Sequence, residues 1–103
     1  MKHPVLKTRN YILFFEYVIL DGFKEVIVAH ADVYKWNKKI KKELIDNFFL
    51  MFRVQELPIY AIVDKTDTKL AKFSNMNGFY LFKEDVTIKN GETKNMYKWI
   101  GSK

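Results

Sequence analysis

The fold is decided by residues 25–64, which read EVIVAHADVYKWNKKIKKELIDNFFLMFRVQELPIYAIVD. The stretch opens and closes with runs of β-branched and aromatic residues, a composition typical of strands. Between them, large apolar residues recur at the three- and four-residue steps of one helix face: Trp36, Ile40, Leu44, Phe48, Met51 and Phe52. Asn37 is the predicted helix N-cap, and Pro58 marks the break before the second strand. A strand–helix–strand unit of this kind predicts two adjacent parallel strands.

A short helix and a hairpin follow this unit. The helix TKLAKFSNMN has a predicted cap at Thr66 or Asp67, and Gly78 stands where a left-handed residue often ends a helix. The segments FYLFKEDVTIK and ETKNMYKWI are strand-like and flank Asn90-Gly91, a strong signal for a hairpin turn. The C-terminal part of the chain is therefore predicted to add antiparallel strands.

A second predicted hairpin precedes the unit. YILFFEYVIL (residues 11–20) is typical of a strand, and Asp21-Gly22 predicts the turn into the next one. Residues 1–9 are polar and predict a flexible arm, which leaves residues 10–103 as a single domain. The whole pattern predicts an α+β fold, a mixed sheet of about five strands with two helices in the order β-β-α-β-α-β-β.

Composition narrows the class of protein. The chain has 103 residues, no cysteine and two histidines, which excludes a disulfide framework and disfavours a structural zinc. It shows no signal-peptide pattern and no apolar run long enough to span a membrane, so a cytoplasmic protein is expected. The formal charge is +6 and the isoelectric point is near 9.5, values that favour polyanionic partners of any kind.

Residues 67–84, DTKLAKFSNMNGFYLFKE, resemble the last helix and following strand of the GNAT acetyltransferase superfamily. In that family the pattern Asn-x-x-Ala-x-x-Phe-Tyr-x-x-x-Gly-Phe is common, and Phe73, Gly78 and Phe79 match it. The lysine-rich helix, the apolar strand and the tail hairpin further resemble small GNAT-like proteins of short-tailed phages, including internal virion proteins. The resemblance implies a GNAT-like fold, an acyl-CoA-dependent N-acetyltransferase-type function, acetyl-CoA as cofactor, and a host cytoplasm or virion location.

The resemblance also implies a cofactor site at the start of the long helix. In the family, this helix begins at a loop whose backbone N–H groups hold the CoA pyrophosphate, and a helix N-terminus favours anions. Lys41 and Lys42 add positive charge to this helix start. The implied cofactor-binding residues are Lys35, Asn37, Lys38, Lys39 and Asp67.

Several positions depart from the family pattern. No glycine lies between Gly22 and Gly78, although the family's phosphate loop is glycine-rich. Asp67 replaces the family's Asn, and Ser74 replaces the Tyr that often acts as general acid. The family's first strand and first two helices have no predicted counterpart before Asn10. Weakened or lost catalysis is therefore expected, and the alternative is a non-catalytic phage virion or host-factor-binding protein on the same scaffold.

His30 is the predicted general base, and Ser74 is the other predicted catalytic residue. His30 and Asp32 lie two apart on a strand and so share one face, which allows Asp32 to hold the second ring nitrogen of His30. The alternative interpretation is a solvent-facing strand end without a catalytic role.

Two surface features leave interpretations open. The lysine cluster fits a solvated helix edge, a phosphate contact or nucleic-acid binding, and Glu43 and Asp46 in the same polar arc disfavour the last. Phe49 and Leu50 fall outside the main apolar stripe of the helix. Either a neighbouring loop or the terminal hairpin covers them, or they contact a protein partner or a second copy of the chain.

Overall fold

The computed structural model describes residues 1–20, 22, 24–88 and 90–101. The elements are, in chain order, β1 (Lys2–Lys7), β2 (Tyr11–Leu20), β3 (Lys24–Val33), α1 (Lys38–Arg53), β4 (Ile59–Val63), α2 (Thr68–Met76), β5 (Phe79–Thr87) and β6 (Thr93–Trp99). The strands form one sheet in the order β1-β2-β3-β4-β6-β5. The α+β class and the mixed sheet with two helices are confirmed, whereas the sheet has six strands instead of about five.

The additional strand is β1, in the segment that was predicted to be a flexible arm. It pairs antiparallel with β2, with an irregularity between Pro4 and Leu6. Val5 and Leu6 pack against the core while the residues around them are exposed. A short edge strand buries little of its length and tolerates a proline, so its apolar pattern is weak. The predicted order β-β-α-β-α-β-β is therefore wrong by this one strand at the N-terminus.

β2 and β3 form a continuous antiparallel pair, from Tyr11 opposite Val33 to Leu20 opposite Lys24. The predicted turn between them falls partly on Asp21, which lies outside the described residues. β3 and β4 are parallel neighbours, as the strand–helix–strand unit predicted. The remaining pairs, β4 with β6 and β5 with β6, are antiparallel.

The main core lies between α1 and one face of the sheet. The helix buries Ile40, Leu44, Phe48 and Phe52 against the sheet residues Tyr11, Leu13, Phe15 and Ile27. The side chain of Asn37 accepts a 2.8 Å hydrogen bond from the backbone N–H of Ile40, which confirms the predicted N-cap. Trp36 precedes the helix and is 46% exposed, so the buried stripe begins at Ile40.

α2 packs on the same side of the sheet as α1, because the ring of Phe73 meets that of Phe48 at 6.5 Å. Asp67 caps α2 through a 2.9 Å bond from the N–H of Leu70, and Gly78 follows the helix with a φ of 87°. A second cluster, formed by Val26, Tyr60 and Met96 with three partly buried neighbours, includes no helix residue in the described part of the chain.

Candidate functional site

A cavity opens where the two parallel strands part. β3 and β4 pair only through Ile27 with Ile59 and Val28 with Tyr60. Beyond these pairs the strands diverge, and the space between them holds a cavity of about 830 Å³. Residues 29–33 of β3 and 61–63 of β4 line it, together with one side of α2. This volume lies within the range of about 300–1,000 Å³ that is usual for small-molecule sites.

The divergence also leaves a free strand edge along the cavity. Residues 29–33 of β3 pair with β2 on one edge, but no strand of the described chain pairs with their other edge. A free edge presents backbone N–H and C=O groups that an extended ligand with amide groups can satisfy. The parting of β3 and β4 thus supplies both the space and the polar groups of a binding site.

His30 lines this cavity and is held by Glu16 on the neighbouring strand. The His30 Nε2 atom lies 3.0 Å from Glu16 Oε1, and each side chain is about one-third exposed, at 30% and 32%. The hydrogen bond from His30 lowers the pKa of Glu16, although partial burial acts in the opposite direction. Glu16, which the sequence analysis did not name, therefore holds one ring nitrogen of His30, and the predicted partnership of Asp32 with the other nitrogen stays a prediction.

The pairing register explains this partner. Phe14 lies opposite His30, and Glu16, two residues further along β2, shares the same face and lies diagonally across from it. The sequence analysis missed Glu16, because the predicted two-residue turn at Asp21-Gly22 would pair Leu20 with residue 23 and place Glu16 on the other face from His30. The observed register is shifted by one residue, with Leu20 opposite Lys24 and Glu16 opposite Val28.

Ser74 and Asn77 form a buried polar wall of the cavity. They are 4% and 2% exposed, the two buried polar residues in the described part of the chain, and both line the cavity from the end of α2. The side-chain N–H₂ of Asn77 donates to the carbonyl of Phe73 at 2.9 Å. The indole N–H of Trp99 donates to the backbone carbonyl of Asn77 at 3.0 Å. The sequence analysis did not identify Asn77, which falls on a variable position of the family pattern.

The predicted cofactor residues divide into two groups. Asp67 lines the cavity, where its carboxylate also caps α2. Lys38 and Lys39 do not line it but face a shallower depression on α1, shared with Lys42, Glu43, Asp46 and Asn47. Lys35 is exposed, and its backbone N–H donates to the carbonyl of Asn10 at 3.3 Å.

Asn37 and Trp36 connect the two groups. The side-chain oxygen of Asn37 is already used as the α1 cap. Trp36 lines the cavity directly before Asn37, and its ring contacts that of Phe73 at 6.0 Å between ring centroids. The start of α1 therefore borders the cavity, and its lysines lie on the adjoining surface.

The two apolar residues outside the α1 stripe have different surroundings. The ring of Phe49 contacts that of Trp99 in the terminal hairpin at 5.9 Å, so the hairpin covers this residue. Leu50 is 51% exposed. Of the two residues proposed for a partner contact, only Leu50 presents a largely open side chain.

The described residues form neither a metal-binding cluster nor a membrane-spanning helix. No group of three or more His, Asp or Glu side chains in that part of the chain is arranged to hold a metal ion. None of its helices combines the length and apolar character needed to cross a membrane.

The fold is similar to that of a solved structure, a Bordetella pertussis protein assigned to the GnaT family of acetyltransferases. The TM-score is 0.64 at 12% sequence identity, and the match covers 87% of this chain and 56% of that one. The chain therefore spans little more than half the length of that protein. No protein-family model matches the chain, and no curated protein matches its sequence. The structural likeness confirms the predicted GNAT-like fold.

Proposed function

We propose that this chain binds acyl-CoA in the cavity between β3 and β4, as an N-acetyltransferase-type protein with weakened or lost catalysis. The observation that carries the proposal is the parting of two parallel strands after Val28 and Tyr60, which opens about 830 Å³ beside a free strand edge. The GNAT-like fold supports the same conclusion, since the related structure is named as an acetyltransferase of that family.

The free edge of β3 suits the pantetheine arm of CoA. This arm is extended and carries two amide groups, which can exchange hydrogen bonds with backbone groups as an added strand does. Acyl-CoA, when bound, would supply a thioester as the acyl donor. The apolar residues along the cavity, including Ala29, Ala31 and Ala61, leave room for an arm close to the backbone.

The lysines at the start of α1 suit the phosphates of CoA. The first turn of this helix has no acidic residue, and Lys38, Lys39, Lys41 and Lys42 are all exposed. Cations at a helix N-terminus are repelled by the partial positive charge of the helix dipole, and a bound phosphate would offset that repulsion. Trp36 links this surface to the cavity, so one ligand can reach both.

The groups available for acyl transfer explain why catalysis is proposed to be weak. His30, held by Glu16, is the base for an amine acceptor. Ser74 occupies the position of the family's phenolic acid, and its hydroxyl is a far weaker acid than a phenol. Its burial at 4% exposure adds a second obstacle to proton transfer.

The proposal is tested by measuring CoA binding in two ways, by calorimetric titration and by the shift of the thermal unfolding midpoint. Saturation at about 100 times the dissociation constant should raise the free energy of unfolding by about 2.7 kcal/mol. Binding should weaken with added salt, because phosphate contacts of exposed lysines are screened. The double variant Lys38→Glu/Lys39→Glu should abolish binding.

The control for this variant is Lys7→Glu/Lys83→Glu, which makes the same charge change at exposed positions outside the cavity lining. It should retain most of the affinity. A wild-type protein that shows neither heat of binding nor thermal shift with millimolar CoA would refute the proposed function. Equal affinity in both double variants would remove the α1 lysines from the site.

The second candidate function is a non-catalytic binding protein on the same scaffold, with the phage origin and the virion or host-factor role that the sequence resemblance implies. The observation that favours it is the short link at residues 8–10 between β1 and β2, where the family has two helices. The two helices in the described part of the chain pack on one face of the sheet. In this alternative, the other face or the exposed Leu50 meets a protein partner or a second copy, and CoA does not bind.

A further inference from the structure

Lys2 borders the cavity from the edge of the sheet. It is the one residue of β1 among those that line the cavity, and it is exposed. A lysine amine is a nucleophile toward acyl groups once it has lost its proton. The acyl-CoA function proposed above names no acceptor, so an amine at the cavity has no role in it yet.

The strand register brings Lys2 onto the same sheet face as the proposed base. Lys2 lies directly opposite Glu16, and directly paired residues share one face of a sheet. Glu16 in turn lies 3.0 Å from the ring of His30. The hydrogen bond with His30 and, with a smaller effect, the positive charge of Lys2 lower the pKa of Glu16. An amine, a carboxylate and an imidazole therefore lie on three neighbouring strands beside the cavity.

The cavity is lined from both faces of the sheet. Ala29 and Ala31 pack against the core on the helix side, whereas His30, between them on an alternating strand, belongs to the opposite face. All three residues line the cavity. The cavity therefore extends to the helix-free side of the sheet, which is the side that carries Lys2.

We propose that Lys2 is the acyl acceptor of this cavity, so that the protein transfers the acyl group of bound acyl-CoA to a lysine of its own chain. The inference rests on the proposed function and names its acceptor. An amine attached to the chain acts at a high effective concentration, which offsets the lack of a strong acid. The reaction ends after one acyl group per chain, so it is compatible with the absence of turnover on free acceptors.

The transfer balances without a further reactant. The ammonium group of Lys2 gives one proton to His30, and the resulting amine attacks the thioester carbon. A C–N bond forms and the C–S bond breaks, so that CoA leaves as a thiolate. The nitrogen releases a second proton, which the thiolate takes up, and His30 passes its proton to water. The products are an Nε-acyl-lysine, free CoA and a proton.

Site-resolved labelling tests the proposal on the full chain. The protein is incubated with acetyl-CoA, and peptide mass spectrometry follows the acetyl group on each lysine over time. Lys7 is the matched control, an exposed lysine on the same strand that does not line the cavity. We expect Lys2 to react at least about tenfold faster than Lys7, because its amine is held near the donor. A CoA analogue that lacks the thiol should slow the labelling of Lys2 and leave that of Lys7 unchanged.

Two histidine variants test the base. His30→Gln removes the imidazole from the cavity and should reduce the rate at Lys2 to about that at Lys7. His3→Gln is the matched control, because His3 is an exposed histidine of β1 that does not line the cavity. It should leave the ratio of the two rates unchanged.

A protection measurement gives a readout that requires no acyl transfer by the protein. The reagent N-hydroxysuccinimide acetate labels lysine amines directly, and the wild-type protein is treated with it in the presence and absence of CoA. Saturating CoA should slow the labelling of Lys2, because it fills the cavity that Lys2 borders. The labelling of Lys7 should not change.

The outcomes separate this proposal from the function on which it rests. CoA that binds without protecting Lys2, or acetyl-CoA that labels Lys2 no faster than Lys7, would overturn Lys2 as the acceptor while the acyl-CoA function stands. Preferential labelling of the backbone amine of Met1, which lies 3.8 Å from Glu16 Oε2, would also overturn it. A Lys2 rate unchanged by either His30→Gln or the thiol-free analogue would do the same, because it would reflect an exposed reactive amine. A wild-type protein that binds no CoA would refute the proposed function itself.

Discussion

Leu44 lies at the centre of the contact between α1 and the sheet, with no exposed surface. Truncation to alanine would leave a cavity in a well-packed site, so Leu44→Ala should lower the free energy of unfolding by about 2–5 kcal/mol. Chemical denaturation of both proteins measures the difference. Leu50→Ala is the control, since Leu50 is 51% exposed on the same helix and should change stability by less than about 0.5 kcal/mol. A loss below about 1 kcal/mol for Leu44→Ala would show that the packing is looser than described.

Tyr11 illustrates how one residue ties a strand to a helix through polar contacts. Its ring is buried, and its hydroxyl donates to Glu43 and accepts from Asn47, both at 2.9 Å. Burial is the main cause that raises the pKa of Tyr11. Tyr11→Phe keeps the ring but leaves both α1 side chains without this partner, so it should cost about 1–2 kcal/mol of unfolding free energy.

The matched control is Tyr17→Phe, at a tyrosine of the same strand that is 46% exposed. Denaturation midpoints of the two variants should differ clearly, and identical midpoints would mean that water replaces the Tyr11 hydroxyl without loss.

Local sequence signals predicted some of the polar contacts in the structure and not others. The cap at Asn37 follows from its residue type and position, whereas the bonds of Tyr11 and of His30 depend on which elements meet in the fold.

Gly78 joins α2 to β5, and two separate constraints act on it. Its φ is 87°, and a Cβ atom there would lie 3.0 Å from the indole nitrogen of Trp99 and 3.1 Å from the ring of Phe49. Gly91, in the last hairpin, has a φ of 86° and nothing within 4 Å of such an atom. The two glycines therefore separate backbone strain from crowding.

Gly91→Ala should cost about 1 kcal/mol, the strain of a left-handed alanine. Gly78→Ala should cost about 1–3 kcal/mol more, because Trp99 and Phe49 must also move. Thermal or denaturant unfolding of the two variants gives the difference. Equal losses would show that the neighbouring rings adjust freely, and that backbone conformation alone requires glycine at Gly78.

Asp64 links the end of β4 to β6 and to the turn before α2. The hydrogen bond from Lys94, at 2.8 Å, and those from Thr66 hold the pKa of Asp64 well below its ordinary value. Because the folded-state pKa lies below the unfolded one, this carboxylate stabilises the fold above the unfolded pKa, and the contribution is lost as pH falls.

The free energy of unfolding should therefore decrease as pH falls from about 5 to about 2, and Asp64→Asn should reduce that decrease. Denaturation curves across this range measure the slope in each protein. Lys94→Met removes the partner and should flatten the slope in the same direction. Slopes that are indistinguishable in wild type and Asp64→Asn would remove Asp64 from the acid response.

Element prediction succeeded where periodicity was strong and failed where burial was partial. α1 buries a full stripe, and the run IYAIV of β4 is mostly covered, so both were visible in the sequence. β1 has only Val5 and Leu6 packed against the core, and its flanking lysines gave it the pattern of an arm. β1 is held as a strand by backbone pairing with β2. The amino-acid types of an edge strand do not indicate such pairing, so it could not be predicted from the sequence.

At the scale of the whole molecule, the parallel pairing of β3 and β4 was predictable because a strand–helix–strand connection permits little else. The cavity follows from where that pairing ends. Its polar wall did not follow, because Ser74 and Asn77 reach it only through the packing of α2 beside the parted strands. The family pattern located Ser74 and treated Asn77 as variable, so Asn77 could not be identified from the sequence.

Catalysis provides the last test, since it requires a base and an acid on opposite sides of one reacting group. The wild-type protein should show no acetyl-CoA consumption above background with simple amines or peptides, even where CoA binds. Ser74→Tyr restores a phenol at the cavity wall and should produce measurable turnover, whereas Ser74→Phe adds the same ring without the hydroxyl and should not. Turnover in the Ser74→Tyr protein should disappear when His30→Ala is added. Robust wild-type turnover that collapses in His30→Ala would overturn the proposal of weakened catalysis. It would show that His30, held by Glu16, suffices for acetyl transfer without a phenolic acid.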